Sequence, residues 1–226
     1  MPLNTILANS EAVSIKDQKI VGQTTSRNLK ISASEYLSTQ AFQFTFKPNS
    51  YMRYSQNRDL LSELRVADKV QEQYLNFGTT GWASYIKYQG NMTSGQISAC
   101  QWDITSSGKN LVLGNLPSIS STAYIVKAGD FCQVGRYSYI ATASVQRGSG
   151  TTVTIPVHRS LLETLVSPIN AVIGEYGTTV SMGGDTYTGV TFPVLLNEYP
   201  IYTFVPIYND SFIAWNGDFE AFEAIL

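Results

Sequence analysis

Three phenylalanines, Phe42, Phe44 and Phe46, alternate with Gln43, Thr45 and Lys47 and stop at Pro48. Successive side chains of a strand point to opposite faces, so a period of two puts the rings on one face and the polar groups on the other. The pattern predicts a sheet with one wet face and one apolar face that another layer must cover. A second alternation, Val153, Ile155 and Val157 against Thr152, Thr154 and Pro156, follows the Gln146–Gly150 connection, and Tyr137 to Val145 offers a β-rich partner before it. These two runs read as a β-hairpin, with Pro156, which has no ladder donor, at an edge or at the strand's end.

One stretch reads as helix, Arg58 to Phe77. Leu60, Leu61, Leu64, Ala67, Val70 and Tyr74 fall on one stripe, with Asn57 as N-cap and Gly78 as the stop, and mixed charges on the other face mark a packing element rather than a membrane-binding one. From Thr79 to Gly189 the chain is dense in Gly, Ser and Thr with short apolar runs, the texture of a small barrel or sandwich. Aromatic strands return from Phe192, where Asn216-Gly217 fits a tight hairpin turn or a bulge. The expected organisation is mainly β: residues 1–78 with 190–226 as one discontinuous domain, and 79–189 as a small β domain inserted into it.

The chain's 226 residues, 43% of them hydrophobic, can bury a core without staples. Fifteen basic against seventeen acidic residues give a net charge of −2, without the basic excess of a nucleic-acid reader. Two cysteines, Cys100 and Cys132, are too few for a disulfide framework or a zinc site and read as small buried hydrophobes. MPLNTILANSEAVSIKDQ lacks a basic leader with an apolar core, and no window approaches 18 apolar residues, so neither a signal peptide nor a membrane span is expected.

The segment Lys127–Arg159 holds the chain's one histidine and a Gly-Ser turn. Arg147-Gly148-Ser149-Gly150-Thr151-Thr152 has no lysine and leads into a strand, so it is no phosphate loop. His158 has no nucleophile elbow to serve. Asp218 and Glu220 near Trp215 fit a half-exposed terminal strand better than an acid–base pair, and with Glu198 they leave a hydrolase as the weakest of three readings. The chain also lacks a HExxH or calcium-loop motif, so the expectation is no catalytic residue, cofactor or metal. Gly129, Gly135, Gly148 and Gly150 read as turn-makers, and His158 with Arg159 as a strand end suited to a subunit contact.

KAGDFCQVGRYSYIATASVQRGSGTTVTIPVHR (Lys127–Arg159) resembles a segment of small tail and baseplate proteins of contractile-tailed bacteriophages, in which a GDF turn, a glycine–tyrosine ribbon and an RGSG–TVT–PVHR hairpin follow one another. Ser26–Pro48 is similar to that family's first hairpin, the helix matches in place, and YTFVPIYNDSFIAWNGDFEAFEAIL resembles its closing strands. The likeness is specific from Lys127 to Arg159 and at the C-terminal end. It implies a tail-tube-like β-sandwich or barrel domain with one packed α-helix, plus an inserted small β-barrel or sandwich. It also implies a virion structural protein, made in the host cytoplasm, forming a homo-oligomeric ring, hexamer or trimer, in the baseplate hub or distal tail. Its partners would be tail tube and baseplate proteins, with DNA passing through the lumen unread. Candidate interface segments are the N-terminal arm Met1 to Asn28, which lacks a clear core periodicity and reads equally as a frayed terminus, and the loop Asn49 to Gln56 before the helix. The 14 tyrosines and three tryptophans keep open a second reading, a carbohydrate-binding β module contacting the host surface.

Overall fold

The computed structural model describes residues 2–17, 21–25, 31–35, 40–49, 52–67, 69–78 and 83–225. The fold is mainly β, with short strands and three α-helices among the described residues: α1 (Pro2–Ala8), α2 (Tyr54–Ala67) and α3 (Ser94–Ala99). Two compact units divide the chain, Met1–Leu75 with Pro193–Leu226, and Asn76–Phe192.

The first unit is built on a five-stranded sheet in the order Ser10–Lys16, Gln43–Pro48, Phe219–Glu223, Thr191–Glu198, Gln73–Asn76. Phe42, Phe44 and Phe46 are all fully buried, while Gln43, Thr45 and Lys47 stay at least partly exposed, so the alternation does what its period demands. Phe46 faces Phe219 and Phe44 faces Ala221 across an antiparallel pair, which continues the apolar face onto the next strand. The cover over this face was not legible as such. Leu3, Ile6 and Leu7 are fully buried on α1, which packs on Gln43–Pro48, and Ser10–Lys16 pairs with that same strand. Of the expected interface arm, Leu3, Ile6 and Leu7 therefore belong to the core and Ser10–Lys16, with no fully buried side chain, is the paired edge strand of this sheet; two helical turns are too short to display a periodicity. The rest of the Met1–Asn28 arm contributes Val21–Thr25, which pairs with Ile31–Glu35 in a separate two-stranded hairpin, the remainder lying outside the described residues.

Helix α2 starts four residues earlier and ends ten earlier than its apolar stripe suggests, Tyr54–Ala67 rather than Arg58 to Phe77. Leu61, Leu64 and Ala67 are its buried side, against α1 and a second sheet, and Val70 is 88% exposed. Tyr74 is buried as a strand residue, in Gln73–Asn76, whose four side chains are all buried. A strand buried on both faces adds apolar residues at every spacing, so it imitates the continuation of a helical stripe. Asn57 lies inside α2, its Nδ2 donating to the Arg53 carbonyl at 2.8 Å, and the first turn is capped instead by Asp210. The expected loop Asn49 to Gln56 is strand at Met52–Arg53 and helix from Tyr54, with 50 and 51 outside the described residues. The second sheet has the order Ile201–Ile207, Asp210–Asn216, Met52–Arg53. Gly217, at φ 138°, turns the chain from this sheet to Phe219–Glu223 in the first one, so Asn216-Gly217 is a corner between sheets and not a hairpin turn.

The second unit carries two four-stranded sheets. One has the order Tyr137–Ile140, Phe131–Val134, Val172–Ile173, Tyr176–Gly177, the other Val153–Pro156, Asn110–Gly114, Gln101–Trp102, Ile169–Asn170. Trp102, Phe131, Tyr139, Leu111, Leu113 and Ile155 are fully buried between them, and the Trp102 indole N–H donates to the Gln133 carbonyl at 2.7 Å. Thr93 and Gln96 form a capping box at the start of α3. The expected hairpin of Tyr137 to Val145 with Val153–Val157 is not formed. Tyr137–Ile140 pairs with Phe131–Val134 across the tight Gly135-Arg136 turn, where Gly135 sits at φ 54°, and Val153–Pro156 pairs with Asn110–Gly114, forty residues upstream. A single bridge, Ala141 to Val157, is what remains between the two runs. Pro156 does end an edge strand.

Candidate functional site

The segment that concentrates chemistry-bearing residues is stitched into its own unit. His158 accepts the Ile140 N–H on Nδ1 at 3.0 Å, and burial, reinforced by the charges of Arg159 and Lys109, pushes its pKa down to about 3. A neutral imidazole committed to a backbone donor has no free role as a base near neutral pH. Arg159 is 1% exposed; its Nη2 donates to the Ser138 carbonyl at 2.7 Å and its guanidinium lies 5.2 Å from the Tyr139 ring centroid. So deeply placed a guanidinium offers nothing to a neighbouring subunit, which corrects the expected contact at this position. Arg147 closes the glycine turn by donating to the carbonyls of Pro117 and Gly150 at 3.0 and 2.6 Å.

Asp130 of the GDF turn accepts the N–H groups of Gln89 and Lys127 at 2.9 and 2.8 Å, while burial raises its pKa. It is a clasp between two loops. Cys100 and Cys132 are free and fully buried, and burial raises both thiol pKa values, that of Cys100 to about 11. Of the acidic candidates, Asp218 is exposed, Glu220 accepts from Asn197 Nδ2 at 3.3 Å, and Glu198 stands across the strand pair from Glu220. No three His, Cys, Asp or Glu side chains among the described residues gather as a metal site requires, and no helix among them is long and apolar enough to cross a membrane.

Among the described residues, each unit has a cleft. Gln133, Asn170, Thr178, Thr179 and Ser181 line the one in the second unit, of about 240 Å3, and its Gln133 amide is already engaged with Thr191. The other, of about 250 Å3, lies beside the start of α2 between Asn9, Asn49, Met52, Arg53, Gln56 and Asn57. Neither brings an acid and a base together. The aromatics that favour a sugar-binding surface are largely core in the second unit, where Trp102, Tyr137 and Tyr139 are buried.

What stands out instead is the sheet Ile201–Ile207, Asp210–Asn216, Met52–Arg53. A two-residue loop, Tyr208-Asn209, joins the long strands, with Asn209 at φ 59° and Tyr208 94% exposed. Residues facing each other across the ladder share a side, so Tyr202 and Phe204 lie with Trp215 and the buried Ile213, and Ile201, Thr203 and Val205 lie with Phe212. The first side is held: the Phe204 ring meets Tyr54 of α2 edge-on at 4.9 Å, Tyr202 meets Trp215 at 5.1 Å, and Arg65 donates to the Tyr202 hydroxyl at 3.4 Å. Asp210 fixes the tip by accepting from the Ser55 hydroxyl at 2.6 Å and from the Ser55 N–H at 3.3 Å, bonds that lower its pKa. The second side carries Ile201 and Val205, 75% and 48% exposed, and Phe204 on the first side is itself 51% exposed, on a strand whose one hydrogen-bonded neighbour among the described strands is Asp210–Asn216.

That edge differs from the other long edge of the same unit. Ser10–Lys16 has a register break between Ser10 and Ala12, a Glu11 paired with Lys47 at 3.3 Å, and Lys16, the devices that keep an edge from pairing. Ile201–Ile207 has an unbroken register and no charge at all, with Pro206 as its one blocking residue. Sequence reasoning assigned aromatic strands here and missed the exposed side, because IYTFVPI is apolar at both parities and does not reveal which face is wet. No protein-family model matches the chain, and no curated protein matches it in sequence.

Proposed function

We propose that this chain is a virion structural protein of a phage tail, acting by assembly and not by catalysis. Copies close into a ring in the baseplate hub or distal tail, which continues the tail tube, links it to baseplate components and leaves a channel for DNA. The observation that carries the reading is the open, uncharged strand Ile201–Ile207, on which Ile201, Phe204 and Val205 are 75%, 51% and 48% exposed and whose outer edge pairs with no other strand among the described residues. Such an edge is a liability in a monomer and a joint in an oligomer. The likeness of Lys127–Arg159 and of the closing strands to contractile-tail proteins supports the same assignment. In this reading the first unit is the tube-like domain and the second the inserted small β domain. The wet face carrying Gln43, Thr45 and Lys47 lines the lumen, and a net charge of −2 spares passing DNA a basic wall.

Native mass spectrometry and electron microscopy of the purified chain test the proposal, with a cyclic oligomer as the expected result. Val205→Lys, which puts a charge on the open edge strand while leaving the Tyr202 and Phe204 contacts intact, is expected to weaken assembly by about tenfold or more without loss of fold. A monomer at every concentration, or turnover of a substrate abolished by one side-chain change, would refute it.

A further inference from the structure

The open edge has a definite hydrogen-bonding pattern. Tyr208-Asn209 closes on the pair Ile207/Asp210, and hydrogen-bonded pairs recur at every second position, so Ile201, Thr203, Val205 and Ile207 turn their backbone groups toward Asp210–Asn216. Tyr202, Phe204 and Pro206 turn theirs outward. Pro206 has no N–H, and neither has Pro200 just before the strand, so the edge offers the donors of Tyr202 and Phe204 between two silent positions. Only a short strand can add there, in a restricted register.

A second part of the same unit is incomplete in the complementary way. Val21–Thr25 and Ile31–Glu35 form a hairpin that, among the described residues, pairs with no other strand. Two strands alone are marginal in water; a third strand or a packed face is what makes such a hairpin persist. Each strand is five residues long, enough for two or three outward-facing positions, and Val21–Thr25 carries no charge whereas Ile31–Glu35 ends on a carboxylate.

From these two observations, and resting on the ring reading above, we infer that the Val21–Thr25 strand of one copy adds to the Ile201–Ile207 edge of the next. The hairpin and the three-stranded sheet then form one five-stranded sheet across the joint. The contact is head-to-tail, since it uses two different surfaces of one chain, and head-to-tail contacts are the kind that close into rings. Backbone hydrogen bonds supply the pairing, and the two prolines limit its register.

Differently tagged Gln23→Cys and Thr203→Cys chains, co-expressed and treated with a short bismaleimide, test this. Cys100 and Cys132 are fully buried, so the introduced thiols report alone. A cross-link between the two variants is expected, reduced about tenfold or more when Val205→Lys is added to the Thr203→Cys chain. Cross-linking of Thr203→Cys chains to each other would mean two-fold pairing of this edge with itself and would overturn the inference. An oligomer seen by light scattering with no cross-link between the variants overturns it as well, while leaving the ring reading standing. A monomer in every sample removes both.

Discussion

His158 shows how one partly buried side chain sets a pH dependence. Its folded pKa, near 3, lies below the usual 6.5 because burial disfavours the imidazolium, so between these values the unfolded chain binds the extra proton. Stability is complete above pH 6.5 and is lost as pH falls toward 3, by up to about 1.4 kcal/mol per pH unit from this group. His158→Asn, which keeps an acceptor but cannot be protonated, is expected to flatten that part of the stability–pH curve in thermal melts between pH 4 and 7. Gln73 makes the opposite case. It is 2% exposed, and among the described residues neither its Nε2 nor its Oε1 has a hydrogen-bond partner. Burying an amide without compensation is costly, so Gln73→Met is expected to raise stability by about 1–2 kcal/mol in urea denaturation. A loss of stability would mean that the amide has a role in the folded state.

At the scale of elements, the tight turns of the second unit are fixed by backbone geometry more than by side chains. Gly177 sits at φ 127°, and a Cβ there would stand 2.4 Å from the Ala171 carbonyl oxygen, where nothing can rotate away. Gly177→Ala is expected to cost about 2 kcal/mol or more, with the pairing of Val172–Ile173 to Tyr176–Gly177 lost first and amide exchange of those strands accelerated. In the first unit α2 and the open sheet are coupled at both ends of the helix, by Ser55 with Asp210 and Tyr54 with Phe204 at its start and by Arg65 with Tyr202 in its last turn. The exposed strand is therefore held in a fixed orientation, as a joint needs to be.

For the whole molecule, the division at Leu75/Asn76 and Phe192/Pro193 has a consequence that can be measured. The second unit has its own buried core, with Trp102, Phe131, Tyr139 and Ile155 at zero exposure. A fragment spanning Asn76–Phe192 is expected to fold by itself and to unfold in one cooperative transition. Absence of near-UV circular dichroism in that fragment would show that the two units fold only together. The same fragment lacks the open edge and is expected to stay monomeric where the full chain assembles.

The phenylalanine strand, the buried side of α2 between Leu61 and Ala67, the buried cysteines and the edge position of Pro156 were all legible in the amino-acid order. Each depends on a local period or a local covalent constraint. Tertiary structure decided what depends on distant partners. Val153–Pro156 chose Asn110–Gly114 over its neighbour in sequence, Gln73–Asn76 left a helical stripe for the edge of a sheet, and Leu3, Ile6 and Leu7 became the cover of the Phe44 face. The exposed apolar side chains of Ile201–Ile207 belong to the same class. Its residues are apolar at both parities, so only the packing of the strand against its unit determines that Ile201, Phe204 and Val205 are left largely facing water.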